Sequence, residues 1–162
     1  MQPAPIPADD AERLVALHQL GILDTPAEER FDLITAAAVK RFKVPFSTIS
    51  LIDRDREWYK SRQGVSAVQG PRSISFCGHA LLAQHVFIVE DTLQDSRFVD
   101  NPYVAGTPYI RFYIGVTLHD YQTKQPLGVF CIKDIKPRHL TPQDIDDFKE
   151  LAHQAEEELN AK

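Results

Sequence analysis

Cys77 and His79 are the residues of this chain whose types and spacing could most directly support chemistry. They stand two positions apart within residues 73–80, Ser-Ile-Ser-Phe-Cys-Gly-His-Ala, where the sequence predicts the start of a short helix. A helix N-terminus and a nearby imidazolium both lower the pKa of a thiol, so a reactive cysteine is one interpretation. The other is packing, because small cysteines are often buried and a histidine can hydrogen-bond a loop carbonyl. We expect both residues to form the floor of a pocket rather than to react.

The cysteine and histidine spacings argue against a metal site. A structural zinc site needs four ligands, usually in paired spacings, and this chain offers one Cys-x-His without a second pair. The second cysteine, Cys131, is grouped by strand alternation with Leu127 and Val129, which predicts that it packs in the core. Both thiols are expected to be reduced, because nothing indicates secretion. We predict no metal ligands and no catalytic residue, and the sequence identifies no cofactor.

Five further residues are candidates for contact with a ligand. Arg111 lies on the polar side of an otherwise apolar predicted strand, where it either binds an anion or forms an ion pair with Asp91 or Asp95 that fixes the neighbouring loop. Both interpretations stay open. Tyr113 and Trp58 are amphipathic rings that line a pocket or cover the sheet. The full set of predicted ligand-binding residues is Phe76, Cys77, His79, Asp91, Arg111, Tyr113 and Trp58.

Composition and charge limit the partners. The chain has 162 residues, a formal net charge of −5 and no basic stripe, so we expect no nucleic-acid partner. No apolar run approaches the length of a membrane span, and the first residues, MQPAPIPADD, lack the basic and apolar regions of a signal peptide. We therefore expect a cytoplasmic protein without membrane contact. The early prolines predict a mobile tail over residues 1–10, followed by a single domain over residues 11–162.

Sequence patterns typical of helices lie near both ends of the chain. Residues 9–23 carry an amphipathic pattern that Gly21 is positioned to end. Thr25 is the predicted N-cap of a second helix, with Glu28 as its capping-box partner. Near the C-terminus, Thr141 is the predicted cap of a last helix, with Asp144 in the first turn. The apolar stripe of that helix is Ile145, Phe148, Ala152, Ala155 and Leu159.

Strand signals lie between these helices. Residues 44–64 predict a hairpin around Asp-Arg-Asp-Arg, residues 85–91 a short strand, and residues 109–120 a strand of clear alternation. Residues 126–135 predict its hairpin partner. The predicted fold is therefore α+β, with a central antiparallel sheet of five to six strands and the N- and C-terminal helices on one face. Residues 64–109 are too long for a turn, so this crossover segment is expected to cover the other face and enclose a cavity.

Six stretches of the sequence resemble the GAF domains of bacterial signalling proteins, those found beside histidine kinase and diguanylate cyclase domains. The stretches are ILDTPAEERFD, ISLIDRDREWYKSRQG, ISFCGHAL, DSRFVDNP, IRFYIGVTL and LGVFCIKD, in that order along the chain. The resemblance implies a twisted antiparallel sheet with terminal helices on one side and a ligand pocket on the other. Members of the family bind various small molecules, and many dimerise through the helical face.

The resemblance leads to one leading hypothesis and two alternatives. The first is a non-catalytic sensory domain that binds a small molecule and relays its state through the terminal helices to a signalling output domain or protein. The second is a thiol enzyme of the free methionine sulfoxide reductase type, because CGHA at Cys77 to Ala80 is similar to a stretch of those enzymes. Their further cysteines are missing from the loop before the strand at residue 109. The third is a ligand-free module that forms a homodimer through the terminal helices.

Overall fold

The computed structural model describes residues 1–161 and contains a six-stranded antiparallel sheet and five α-helices. The predicted domain extends to residue 162, and Lys162 lies outside the described residues. The strands are β1 (Phe46–Ile52), β2 (Arg56–Gln63), β3 (Gln69–Pro71), β4 (Phe87–Val89), β5 (Phe112–His119) and β6 (Pro126–Asp134). The helices are α1 (Asp10–Leu20), α2 (Glu29–Phe42), α3 (Phe76–Ala80), α4 (Pro102–Ala105) and α5 (Pro142–Asn160). This architecture confirms the predicted fold class.

The strand order is β3-β2-β1-β6-β5-β4, which places the two ends of the crossover segment at opposite edges of the sheet. The segment pairs through β3 with β2 and through β4 with β5. The chain between these short strands therefore crosses one face of the sheet, and it carries α3 over that face. This position agrees with the expectation that residues 64–109 cover the face of the sheet opposite to the terminal helices.

The helices α1, α2 and α5 cover the opposite face, where the larger core lies. Their amphipathic stripes pack on the apolar side chains of β1, β5 and β6, which confirms the predicted placement of the terminal helices. In α5 the predicted stripe is buried on the protein's own sheet, with Phe148 and Ala155 fully buried and Ile145 half-buried. Burial of this stripe stabilises the monomer and leaves the outer faces of the helices to solvent.

The helix caps follow the sequence in one case and depart from it in another. Thr141 and Asp144 form the predicted capping box of α5. The predicted capping box at Thr25 is wrong, because α2 begins at Glu29 with Glu28 as its N-cap residue. The Thr25 hydroxyl instead donates to the Ile22 carbonyl, and it accepts a hydrogen bond of 2.8 Å from the Lys60 ammonium. These tertiary contacts hold Thr25 outside the helix.

A bulge in β6 changes which face its first residues occupy. The register of β5 with β6 shifts between Leu118 and His119, so Leu127 has no partner opposite it. Leu127 therefore packs under the helices, whereas Val129 and Cys131 face the crossover segment. The predicted grouping of Leu127 with Val129 and Cys131 is wrong for this reason, while the predicted burial of Cys131 is confirmed.

The first residues of the chain lie against the domain in this structure. The Ala4 amide donates to the Ser73 carbonyl at 2.9 Å, and Ala4 is 7% exposed. The N-terminal ammonium pairs with Asp100. The mobility of residues 1–10 stays a prediction, and these contacts identify the surface on which the segment rests. No helix among residues 1–161 is long and apolar enough to cross a membrane.

Candidate functional site

A cavity of about 340 Å³ lies between the sheet and the crossover segment. Its walls come from four parts of the fold: strands β1, β2 and β6, the loop at residues 64–67, the helix α3, and the stretch from α4 to residue 110. The side chains with the largest aromatic or charged groups in this wall are Phe46, Tyr59, Phe76, Tyr103 and Lys133. This volume falls within the range of pockets that bind small molecules.

Lys133 is the charged residue of the cavity wall. Its place on β6, two residues beyond Cys131, directs its side chain to the cavity face of the sheet. The residue is 9% exposed, and its ammonium lies 5.8 Å from the ring centre of Phe76 and 6.0 Å from that of Tyr113. Within residues 1–161 its Nζ atom has no hydrogen-bond or ion-pair partner. Its three N–H donors are therefore free to bind an anion.

The charge state of Lys133 follows from its neighbours. Burial lowers the pKa of Lys133, whereas Cys131, Glu57, Cys77 and Tyr59 raise it, and the net shift is upward. Lys133 therefore carries a positive charge at neutral pH. The cavity holds a fixed cation among aromatic walls.

Glu57 is a buried carboxylate that contacts Tyr59 of the cavity wall and does not itself line the cavity. It lies on β2 with Tyr59, on the cavity face, while Trp58 between them faces the helices. Glu57 is 1% exposed, its Oε1 atom accepts a hydrogen bond of 3.2 Å from the Tyr59 hydroxyl, and its Oε2 atom has no partner within the described chain. Burial and the Glu57 charge raise the pKa of Tyr59 and of Tyr103, so both phenols stay protonated as donors.

A layer of small polar side chains lies beneath the cavity. The Tyr113 hydroxyl donates to the Cys77 Sγ atom at 3.1 Å, and Cys77 Sγ lies 3.7 Å from the Ser50 hydroxyl. Ser50 is hydrogen-bonded to Thr48 at 2.7 Å, and Thr48 lies 3.1 Å from the Cys131 Sγ atom. The two cysteines that the sequence separates are therefore joined through one buried network on β1, β5, β6 and α3.

Neither thiol reaches solvent. Cys77 and Cys131 are both 0% exposed and both are free. Burial raises the pKa of Cys77 well above its ordinary value. Burial also raises the pKa of Cys131, but the neighbouring Cys77 thiol, the Lys133 charge and the hydrogen bond with Thr48 together lower it by more, so the net shift is downward. Cys77, for which the sequence left a reactive and a packing interpretation open, is thus protonated and hydrogen-bonded at neutral pH.

His79 lies on the outer side of α3, away from the cavity wall. Its Nε2 atom is 3.1 Å from the Gln2 carbonyl oxygen, and its ring meets the Phe98 ring edge-on at 4.7 Å. Burial lowers the pKa of His79, so the ring is neutral and donates to the Gln2 carbonyl at neutral pH. His79 therefore ties the N-terminal segment to α3.

Arg111 and Asp91 form the ion pair that one of the two interpretations of the sequence described. Arg111 Nη2 lies 3.1 Å from Asp91 Oδ1 and 3.2 Å from Asp91 Oδ2. Asp91 also accepts a hydrogen bond from the Leu93 amide, which fixes the 3-10 turn at residues 92–94. This pair holds the second half of the crossover segment on the sheet and lies outside the cavity wall.

The predicted site residues thus lie in four different places in the structure. Phe76 lines the cavity, and Cys77 and Tyr113 form the buried layer beneath it. His79, Asp91 and Arg111 fasten the surrounding segment. Trp58 belongs to the core under the helices, because it alternates with Glu57 and Tyr59 along β2. No group of His, Cys, Asp or Glu side chains among residues 1–161 has an arrangement that could hold a metal ion.

Lys133, Tyr59 and Tyr103 of the cavity wall, and the buried Glu57 beside Tyr59, were not predicted from the sequence. Two of them carried a signal: Lys133 shares the parity of Val129 and Cys131 on a strand that is otherwise apolar, and Glu57 alternates with Trp58 on a strand of aromatic residues. A charged residue on a buried face is unusual and points to a partner or a ligand. Tyr103 carried no such signal, because its position depends on how the crossover segment folds.

Comparison with known proteins places the fold in a family. A family model described as GAF domain matches residues 26–159, which confirms the predicted resemblance. The chain is 42% identical over 153 residues to the cyclic di-GMP phosphodiesterase PA2567 of Pseudomonas aeruginosa. That match covers 94% of this chain and 26% of the relative, so the chain spans about a quarter of that protein's length.

Two solved structures share the fold at low identity. The GAF domain from Acinetobacter phosphoenolpyruvate-protein phosphotransferase has a TM-score of 0.64 and 15% identity, with 91% of this chain and 92% of that chain covered. The free methionine-R-sulfoxide reductase from Neisseria meningitidis, in complex with its substrate, has a TM-score of 0.63 and 18% identity, with 99% and 98% covered. At such identities the likeness concerns the fold alone.

Proposed function

This chain belongs to the GAF domain family, and on that premise we propose that it is a cytoplasmic, non-catalytic regulatory module. In this proposal a small molecule binds in the cavity between the sheet and the crossover segment. Binding changes the packing of the terminal helices, which pass the change to an output domain or protein.

The observation that carries the proposal is the unpartnered ammonium of Lys133 in the cavity wall. Neighbouring groups keep this side chain charged, but none of them forms a hydrogen bond with its Nζ atom within residues 1–161, so its donors stay free for a ligand. A bound anionic molecule would accept the hydrogen bonds that the Lys133 ammonium does not donate within the described part of the chain. Structural lysines, by contrast, are accompanied by a carboxylate, as Lys60 is by Glu28 at 2.7 Å.

A physical route from the cavity to the helices begins at the residue after Lys133. Asp134 pairs with Arg138, and Arg138 donates hydrogen bonds to the carbonyl oxygens of Phe42 at 3.1 Å and Lys43 at 2.7 Å. Those carbonyls end α2, and Arg138 itself lies just before α5. A shift of the β6 end on ligand binding would therefore act on both helices through one side chain.

The proposed output is a signalling enzyme or its regulator. The relative of which this chain spans 26% is a cyclic di-GMP phosphodiesterase, which supports an output that acts in cyclic di-GMP turnover. We also retain a homodimer through the terminal helices. Because the inner stripe of α5 is covered, such a dimer would use the outer faces, where Val15 on α1 and Leu33 on α2 are exposed.

The buried thiols favour a regulatory role over a thiol enzyme. A cysteine nucleophile needs a thiolate that a substrate can reach, whereas Cys77 is fully buried and its pKa is raised. Its hydrogen bond from Tyr113 positions the sulfur as an acceptor within the layer beneath the cavity.

The proposal is tested by thermal unfolding of the purified protein in fractions of a bacterial metabolite extract. A molecule that binds only the folded state raises the unfolding temperature, and the rise grows with the logarithm of its concentration once the site is saturated. We expect at least one low-molecular-weight fraction to do so. The proposal fails if no fraction raises the unfolding temperature, or if the active fraction acts by serving as a substrate that the protein consumes.

A further inference from the structure

We infer that residues 2–5 form a releasable strap, which holds the two halves of the crossover segment together and can detach while the rest of the domain stays folded. The first half ends with α3, and the second half contains β4 and α4. The strap is a conformational device of the fold, and it does not depend on whether the cavity binds a ligand. Its main-chain contacts with both halves, and the small part of it that is buried, support this role.

The strap binds the crossover segment through main-chain groups, as an added extended segment would. The Ala4 amide donates to the Ser73 carbonyl at 2.9 Å, just before α3. The Gln2 amide donates to the Arg97 carbonyl at 3.4 Å, in the second half. The Gln2 carbonyl accepts a hydrogen bond of 3.1 Å from His79 of α3. The strap therefore links the stretch around α3 to the stretch after β4.

The Ala4 methyl group fits against α3 because position 78 is a glycine. Ala4 is 7% exposed, and a Cβ atom at Gly78 would lie 2.7 Å from the Ala4 Cβ atom. Carbon atoms that are not bonded to each other pack at about 3.5–4.0 Å, so the two methyl groups could not both be present. Gly78 lies two residues after Phe76, whose side chain lines the cavity. The strap is thus seated on the outer side of the helix that covers the cavity.

Few interactions hold the strap in place. Its other side chains, those of Gln2, Pro3 and Pro5, are exposed. One buried methyl group and three hydrogen bonds to groups that water could also satisfy give a small net stabilisation. The two prolines restrict the detached chain, which lowers the entropic cost of binding. The bound state is therefore favoured by a margin that a change elsewhere in the domain could overcome.

A short connection joins the strap to α1. Residues 6–9 separate it from Asp10, the first residue of α1, and the Asp10 amide donates to the Pro7 carbonyl at 3.1 Å. The Asp10 carboxylate accepts hydrogen bonds of 2.8 Å and 2.9 Å from Arg72, the neighbour of Ser73. A movement at the start of α1 would therefore act on the strap and on the stretch before α3 together.

The two halves also have contacts of their own, so release of the strap loosens the crossover segment without detaching it. The Asn101 side-chain amide donates to the Ile74 carbonyl at 3.0 Å. The Phe98 ring stacks on the Phe76 ring with 4.6 Å between their centres. On release we expect more frequent local opening of both halves and an unchanged core of the sheet.

Amide hydrogen exchange, measured by NMR spectroscopy on the full chain, tests the strap. In the wild type the Ala4 amide should exchange about tenfold or more slowly than in an unstructured peptide, and about tenfold or more faster than the most protected amides of β1. Gly78→Ala should remove most of the Ala4 protection, because the new Cβ atom collides with that of Ala4. Exchange in residues 73–80 and 97–101 should then rise about threefold or more, without change in β1 and β6.

A double-mutant cycle shows whether this effect acts through the strap. Ala4→Gly removes the atom with which the new Cβ atom collides. The effect of Gly78→Ala on exchange in the two halves should therefore be about threefold or more smaller in the Ala4→Gly background. An equal effect in both backgrounds would mean that Gly78→Ala disturbs α3 directly, and it would overturn the role of the strap.

Ala4→Glu releases the strap without any change in α3. A large charged side chain does not fit the buried position of Ala4, so exchange in both halves should again rise about threefold or more. Ala8→Glu adds the same charge at an exposed position beyond the strap and serves as the matched control, in which exchange should stay unchanged. An equal rise in Ala8→Glu would assign the effect to charge rather than to the strap.

The remaining outcomes also decide the matter. An unprotected Ala4 amide in the wild type would show that the strap is not bound. An Ala4 amide as protected as those of β1 would make the segment a fixed part of the core. Loss of Ala4 protection in Gly78→Ala and Ala4→Glu, with exchange in the two halves unchanged, would show that the segment holds nothing together. Each of these results would overturn the strap and leave the proposed function intact.

Discussion

The Tyr113 hydroxyl donates a hydrogen bond of 3.1 Å to the Sγ atom of Cys77, so the cysteine of the conspicuous Cys-Gly-His stretch is part of a buried network. Tyr113 is fully buried, and burial raises the pKa of its phenol, which keeps the hydroxyl protonated. The contact joins β5 of the sheet to α3 of the crossover segment. It therefore holds the covering layer on the sheet directly below the cavity.

Removal of this hydrogen bond should weaken the fold by a modest amount. For Tyr113→Phe we expect the free energy of unfolding to fall by about 1 kcal/mol, because a buried hydrogen bond is lost while the ring still packs. Urea denaturation followed by circular dichroism measures the change. Tyr109→Phe is the control, since Tyr109 is 58% exposed and its change should stay below about 0.5 kcal/mol. Equal losses in both variants would show that the Tyr113 contact contributes nothing.

Because Gly115 has no side chain, the Tyr113 side chain can pack directly over its Cα atom. A Cβ atom at Gly115 would collide with the Tyr113 hydroxyl and would lie 2.8 Å from Val129 Cγ1. Gly115→Ala should therefore cost about 1–3 kcal/mol of unfolding free energy. In a Tyr113→Phe background the nearest clashing atom is gone, so the same substitution should cost at least about 0.5 kcal/mol less. Additive costs in the double-mutant cycle would contradict the crowding described here.

Acid should weaken the attachment of α1 through Asp10. The pKa of Asp10 is lowered from 3.8 to about 2, mainly by hydrogen bonds from Arg72. Burial raises this pKa, but Arg13 adds to the lowering. A carboxylate whose pKa is lower in the folded state stabilises the fold above the unfolded value and loses that contribution as the pH falls through the folded value. The contribution of Asp10, roughly 2 kcal/mol, should thus disappear between about pH 4 and pH 2.

The pH effect of Asp10 is isolated by comparison with Asp10→Asn. Other carboxylates also titrate in this range, but they do so in both proteins. The difference in unfolding free energy between the wild type and Asp10→Asn should be largest above about pH 4 and should shrink towards pH 2. A difference that stays constant over this range would mean that Asp10 is not stabilised by the two arginines.

Cys77 should react slowly with alkylating reagents. The thiol is fully buried and its pKa is raised, so iodoacetamide at neutral pH should label it only through opening of the structure. An exposed cysteine introduced by Ser66→Cys provides the matched rate in the same protein. The contrary result is that Cys77 is labelled as fast as the introduced cysteine, with a labelling rate whose pH midpoint lies below the usual thiol pKa of about 8.5. That result would support the thiol-enzyme hypothesis.

The sequence predicts much of this fold because its periodicities are clear. The alternation along β5 and the capping box at Thr141 each specify an element with little help from the rest of the chain. The short strand β3 was not predicted, since Gln-Gly-Pro has no strand signal and pairs only as an edge strand. Leu127 and Thr25 were misplaced because a bulge and a contact with Lys60 override the local pattern.

The candidate site was less predictable than the fold. Attention to reactive residue types led to Cys77, His79 and Arg111, and all three have roles in fastening the crossover segment. The charged residue of the cavity wall is Lys133, which appears in the sequence as an ordinary lysine. Its position at the cavity depends on how the crossover segment packs on the sheet, and the local sequence does not specify that packing.

In the proposed function, one face of the sheet binds a small molecule and the other carries the signal. Hydrogen–deuterium exchange, with and without a molecule that raises the unfolding temperature, is the sharpest test of this division. We expect slower exchange in residues 64–109 together with altered exchange at the end of α2 and the start of α5, where Arg138 makes its contacts. Protection confined to the cavity wall, with both helices unchanged, would contradict it.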